Sequence, residues 1–109
     1  MLKKLRIPLS IGDIAYFSTP MDKAGNDRPF VILEDYSVQS GRIEWTLRTN
    51  RGNIITGRVK DSQKVPIFEG MWVAVSVPVT MHYKTKGLAL DFIFGVPAIV
   101  DITINRLDK

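Results

Sequence analysis

Every second residue of the segment 73–79 is a valine, and segment 88–92 alternates leucine or phenylalanine with alanine or aspartate. Successive side chains of a β-strand point to opposite faces of the sheet, so this period of two predicts strands with one buried face. Between them, 83–87 ends in a glycine that permits a turn. We therefore expect a long β-hairpin late in the chain, spanning 69–92.

A second hairpin is expected in the middle of the chain. Segment 42–48 has apolar residues at its odd positions and polar residues at its even positions, and 54–60 follows after a short polar turn. Trp45 falls on the apolar face and is expected in the core, whereas Gly57, in mid-strand, favours a bulge or bend. If the two strands pair, one polar sheet face carries Arg42, Arg48, Arg58 and Lys60.

The remaining sequence favours strands and gives no helical period. We interpret 1–6, which contains Lys3, Lys4 and Arg6, as a basic lead-in to the fold. Segment 61–68 is interpreted as a connector, because it is short and contains Pro66. The expected fold is all-β: a single OB-like barrel domain over 1–109, with about five to seven strands and a long late hairpin. Three further strands are expected, at 13–18, 30–36 and 98–105.

The residue inventory excludes several kinds of site. The chain has no cysteine and one histidine, His82, which excludes disulfides, thiol nucleophiles and multi-histidine metal centres. No apolar run approaches the ~20 residues of a membrane-spanning helix. We therefore expect no enzymatic activity, no cofactor, no metal site and no membrane partner. Cysteine-free composition fits a cytoplasmic location, in the host cytoplasm if the source is viral.

Basic and aromatic residues are interleaved along the chain, which carries 15 basic and 11 acidic residues and a net charge of +4. Proteins that bind single-stranded nucleic acid need cations to follow the phosphates and aromatic faces on which bases stack. Tyr16, Tyr36 and Trp72 are further candidates for base stacking. The expected nucleic-acid-binding residues are Lys23, Arg28, Phe30, Arg42, Arg48, Arg51, Arg58, Lys60, Tyr83, Lys84 and Lys86.

One resemblance would make the chain an enzyme. Gly12-Asp13-Ile14, followed by Arg28-Pro29 and an apolar strand, resembles the opening of the MazF/PemK-type toxin endoribonucleases. The resemblance implies an SH3-like barrel in which Arg28 stabilises the phosphate during RNA cleavage. The Pro-x-Thr strand that the family places next is displaced here by 42–48. The other interpretation of Arg28-Pro29, a dipeptide that ends a loop and starts a strand, is the one we favour.

A second resemblance covers more of the chain. The loop 25–30 has a Gly-x-x-basic-Pro-aromatic pattern, 69–73 opens the late hairpin with Glu-Gly-Met-Trp-Val, and Val96-Pro97 follows its return strand. This order resembles the gene V-type single-stranded DNA-binding proteins of filamentous phages. It implies a five-stranded OB-type barrel acting in phage DNA replication, with Arg28 and Phe30 in a DNA-binding wing. It also implies a homodimer joined through 72–79.

The sequence thus predicts a homodimeric protein that binds single-stranded DNA, or RNA, with little sequence preference. Two alternatives stay open. A MazF-like endoribonuclease would cleave RNA and depend on Arg28. A non-enzymatic β-barrel interaction module, such as a phage accessory protein, would contact only other proteins.

Overall fold

The structure is a computed structural model that describes residues 1–20, 28–39, 42–59, 61–68, 71–78, 87–96 and 98–106. None of these residues is helical, so the described part of the chain contains no helix that could cross a membrane. They form nine strands: β1 (Leu2–Leu9), β2 (Ile14–Ser18), β3 (Phe30–Gln39), β4 (Arg42–Thr49), β5 (Ile54–Arg58), β6 (Gln63–Phe68), β7 (Met71–Ser76), β8 (Leu88–Gly95) and β9 (Asp101–Asn105).

The strands make two antiparallel sheets. The four-stranded sheet has the order β1-β8-β7-β6, and the five-stranded sheet has the order β5-β4-β3-β2-β9. Strands β7 and β8 pair as the late hairpin requires, and β4 and β5 pair as the middle hairpin requires. The tip of the late hairpin, 79–86, lies outside the described residues.

The all-β class is confirmed, and the architecture is richer than the expected barrel. Nine strands are present where five to seven were expected, and within the described ranges the strand ladders leave two separate sheets. The lead-in 1–6 belongs to β1, and the connector 61–68 contains β6. Both strands lie at sheet edges, where lysine and proline are tolerated because one side of the strand needs no hydrogen bonds.

The core lies between the sheets and is built from the apolar side of each alternating strand. The rings of Phe17 and Phe92 join the two sheets, with centroids 6.0 Å apart and planes at 69°. Trp45 is fully buried, as expected. The buried hydrophobic residues are Leu9, Ala15, Phe17, Val31, Leu33, Ile43, Trp45, Leu47, Val65, Ile67, Val73, Val75, Val77, Leu88, Leu90, Phe92, Phe94 and Ile99.

Gly57 accommodates the largest core side chain. It lies opposite Trp45 in the β4–β5 ladder. A Cβ atom at position 57 would lie 2.2 Å from Cζ2 of the indole, far inside van der Waals contact. The β4–β5 register is regular at Gly57, so of the predicted bulge or bend there is no bulge, and the glycine leaves room for the ring.

Strand β3 contains an irregularity that changes which residues face the core. Leu33 pairs with Leu47, but the next pair joins Asp35 to Thr46, so Glu34 is an extra residue on β3. A β-bulge of this kind shifts the alternation by one position. As a result Tyr36 packs against the core opposite Trp45. This position makes Tyr36 a poor candidate for base stacking.

A buried carboxylate connects the β1–β2 turn with the residue that follows β9. Gly12 has a φ of 95°, and the Asp13 amide donates to the Ser10 carbonyl at 3.0 Å, which closes a tight turn between β1 and β2. The Asp13 carboxylate, only 1% exposed, accepts from the Ser10 amide at 2.9 Å and from Arg106 Nη1 at 3.0 Å. The Gly-Asp pair therefore has a clear structural role here.

Candidate nucleic-acid interface

Two aromatic rings lie side by side on the outer face of the five-stranded sheet. Because Ala15 and Phe17 point into the core, Tyr16 between them points outward. Tyr16 pairs with Phe30 on β3, and their rings are 5.6 Å apart in an edge-to-face arrangement at 61°. Both side chains are half-buried, so each keeps part of its surface in solvent.

Arg28 completes this group, which we call the aromatic–arginine cluster (Tyr16, Arg28 and Phe30). Its guanidinium carbon lies 5.3 Å from the centre of the Tyr16 ring, within the range of a cation–π contact. Its Nη2 donates to Ser18 Oγ at 2.6 Å and to Thr103 Oγ1 at 3.3 Å. These contacts come from β2 and β9, so the sheet holds the arginine in place before any ligand arrives.

The other predicted arginines of the described chain are distributed over the same sheet. Arg48 lies opposite Ile32 on the outer face, but its Nε donates to the Glu34 carboxylate, which offsets its charge. Arg42 and Arg58 line a small open pocket at the other end of β4 and β5, beside Asp61. Arg51 is exposed in the turn that joins β4 to β5. Five predicted residues lie outside the described chain: Lys23, Lys60, Tyr83, Lys84 and Lys86.

The opposite sheet also carries an aromatic ring paired with a cation. Trp72 is 45% exposed, and Lys64 Nζ lies 4.8 Å from the centre of its ring. Nearby cations on this face are partly neutralised, because Asp91, 5% exposed, accepts from Arg6 Nε at 2.8 Å and lies 3.7 Å from Lys4 Nζ.

Arg6 remains charged at any physiological pH. The hydrogen bond to Asp91 and the attraction of its negative charge raise the pKa of Arg6 above its ordinary value. A raised pKa in the folded state stabilises the fold at all pH values below the ordinary pKa, and the contribution is lost only as pH rises through the raised value. The contact therefore has no pH switch near neutrality.

No family model, curated protein or solved structure matches this chain. The two resemblances noted in the sequence remain predictions.

The structure unites some of the predicted residues and separates others. Arg28 and Phe30 lie together, and Tyr16, considered only as a possible base stacker, lies between them in contact with both. Ser18 and Thr103 were missed. The alternation of 13–18 places Ser18 on the outer face, but nothing local indicates that Thr103, 75 residues from Arg28, lies beside it. Within the described ranges, no three histidine, cysteine, aspartate or glutamate residues are grouped as a metal site would need.

Proposed function

We propose that this protein binds single-stranded nucleic acid, with DNA as the expected ligand, through the outer face of the five-stranded sheet. The observation that carries the proposal is the aromatic–arginine cluster. It combines two partly exposed rings with a positioned guanidinium on one surface. Bases stack on aromatic faces whatever their sequence, and a guanidinium binds phosphate oxygens in a fixed fork. Little sequence preference follows from this chemistry.

The contacts of Arg28 hold its guanidinium in one place on the sheet. Ser18 and Thr103 accept its hydrogen bonds through hydroxyl groups on two neighbouring strands, and these bonds position the guanidinium on the outer face. An arginine that is already ordered loses less conformational freedom when a phosphate binds. Arg48, on the same face, is held by its ion pair with Glu34.

The test is a fluorescence-anisotropy titration of labelled oligo-dT at low and high salt. Binding is expected to be tight at low salt and to weaken steeply as salt rises, since neutralising phosphates releases counterions. Tyr16→Ala should lose about 1–3 kcal/mol of binding free energy, the usual contribution of one stacked base. Arg28→Ala should weaken binding and reduce the salt slope by about 1.

Trp72→Ala and Lys64→Ala are matched controls. They remove the same kinds of side chain, an aromatic ring and a cation, from the other sheet. Both should bind oligo-dT like the unaltered protein. Loss of affinity in these variants, with Tyr16→Ala unaffected, would place the ligand on the wrong sheet for our proposal. Absence of binding at low salt would favour a protein-interaction module instead.

The same set of variants distinguishes the proposed binding protein from a MazF-like ribonuclease. A MazF-like enzyme would cleave single-stranded RNA without added metal and would lose that activity in Arg28→Ala. A binding protein returns the RNA intact, as electrophoresis of the labelled strand would reveal.

A further inference from the structure

The sheets end in four edge strands, and three of them differ clearly from the fourth. An exposed edge offers unpaired backbone groups to other strands, and lysine or proline on the edge discourages such pairing. Strand β1 contains two lysines, an arginine and a proline, and β6 contains a lysine and a proline. Strand β5 lies against β6 of the other sheet. Strand β9 has no lysine and no proline.

The composition of β9 favours pairing. Its sequence, Asp-Ile-Thr-Ile-Asn, places three β-branched residues in the centre of the strand. Ile102 and Ile104 pack against the margin of the core and remain half-exposed. Within the described residues, β2 is the one strand that pairs with β9, so its other side has no described partner.

We propose that a second copy of this chain pairs with β9 in antiparallel orientation, with a two-fold axis at Thr103. The register matches the partner's Ile104 to Ile102 and the partner's Asn105 to Asp101. Thr103 meets the partner's Thr103 on the axis. Threonine pairs and apolar β-branched pairs are favourable across strands, and this register places no like charges opposite each other.

The strand is complementary to itself, which is why a second copy is the expected occupant. Among antiparallel registers of β9 with itself, this one alone pairs all five residues. Centring the axis on Asp101 would oppose two carboxylates. The interface differs from the dimer through 72–79 that the phage resemblance implies. Two strands of this length bury less than a standard interface, so we expect a reversible dimer with a micromolar to millimolar dissociation constant.

The dimer would turn two sheets into one continuous sheet. Tyr16 lies beside Thr103 in the β2–β9 ladder, so both copies of Tyr16 would lie in one row across the axis. They would be three strand spacings apart, about 14 Å. If the proposed function is correct, the two aromatic–arginine clusters then form one surface for a single strand of nucleic acid.

Sedimentation velocity over a concentration series tests the dimer without any nucleic acid. The unaltered protein should show a monomer–dimer equilibrium. Asn105→Asp places like charges opposite each other twice per dimer and should weaken association about tenfold. Asn53→Asp makes the same charge change in the exposed β4–β5 turn and should have no effect.

The double variant Asp101→Lys with Asn105→Asp tests the register itself. It creates two opposite-charge pairs across the axis and should restore the dimer that Asn105→Asp weakens. A protein that is monomeric at all concentrations would overturn the proposal. A dimer whose dissociation constant is unchanged by Asn105→Asp but raised by Trp72→Glu would also overturn it, because that dimer would form through the four-stranded sheet.

Discussion

Gly57→Ala should destabilise the protein by about 3 kcal/mol, although the change adds one methyl group. The new Cβ atom would lie 2.2 to 2.8 Å from three atoms of the Trp45 indole. The ring is fully buried, so it can move only by displacing other core side chains. Overpacking of this kind forces a side chain out of its rotamer or shifts the backbone. Urea denaturation followed by circular dichroism measures the change in the free energy of unfolding.

Two further variants show whether the ring is the cause. Gly95→Ala adds the same methyl group in β8, where a Cβ atom would meet nothing within 4 Å, and should change stability by less than about 0.5 kcal/mol. Trp45→Phe makes room beside Gly57. The combination of Trp45→Phe with Gly57→Ala should therefore cost at least about 1 kcal/mol less than the sum of the single changes. Additive costs would contradict the proposed clash.

Asp13→Ala should cost about 2–4 kcal/mol of stability, because it removes a buried charged acceptor from two hydrogen bonds. The β1–β2 turn then loses the bond from the Ser10 amide, and Arg106 loses its carboxylate partner. Asp13→Asn should have an intermediate effect, since the amide oxygen still accepts a hydrogen bond but carries no charge. Thermal and urea unfolding give the free-energy differences.

The matched control is Asp61→Ala, which removes an exposed aspartate. It should be close to neutral. A double-mutant cycle of Asp13→Ala with Arg106→Ala isolates the ion pair, and a coupling of about 1 kcal/mol is expected. Equal effects of Asp13→Ala and Asp61→Ala on the free energy of unfolding would show that the Asp13 carboxylate does not stabilise the contact between the β1–β2 turn and Arg106.

The fold class could be read from the sequence because alternation is a local signal. The alternation in 42–48 and 54–60 predicted which face of each strand is apolar. In the structure these segments form β4 and β5, which pair with each other. The burial of Trp45 followed from the same pattern. Short polar turns make neighbouring strands pair, so both hairpins were predictable.

Edge strands and distant pairs could not be predicted in this way. Strand β1 carries charged residues and a proline, which weaken the apolar signal, and its pairing partner β8 lies far along the chain. The Arg6–Asp91 contact spans 85 residues. Alternation tells which face of a strand is buried and carries no information about which strand lies next to it.

The candidate site shows the same limit. Arg28 and Phe30 were identified by residue type, and Tyr16 was recognised as a possible base stacker. Their meeting depends on the β2–β3 register, and the anchoring of Arg28 depends on β9. Chemistry could be predicted from single residues, whereas the cluster is a property of the assembled sheet.

Glu34 is an extra residue in the middle of β3. Odd-numbered Leu33 before it and even-numbered Tyr36 after it both face the core. Replacing Glu34 loses an ion pair with Arg48, whose members are both substantially exposed, a loss of at most about 1 kcal/mol. Deleting it would remove the bulge and leave the faces unchanged, because the pairs Leu33–Leu47, Asp35–Thr46 and Tyr36–Trp45 would then follow one another in the ladder. Evolution of this strand can therefore vary position 34 in both identity and length without changing which residues face the core.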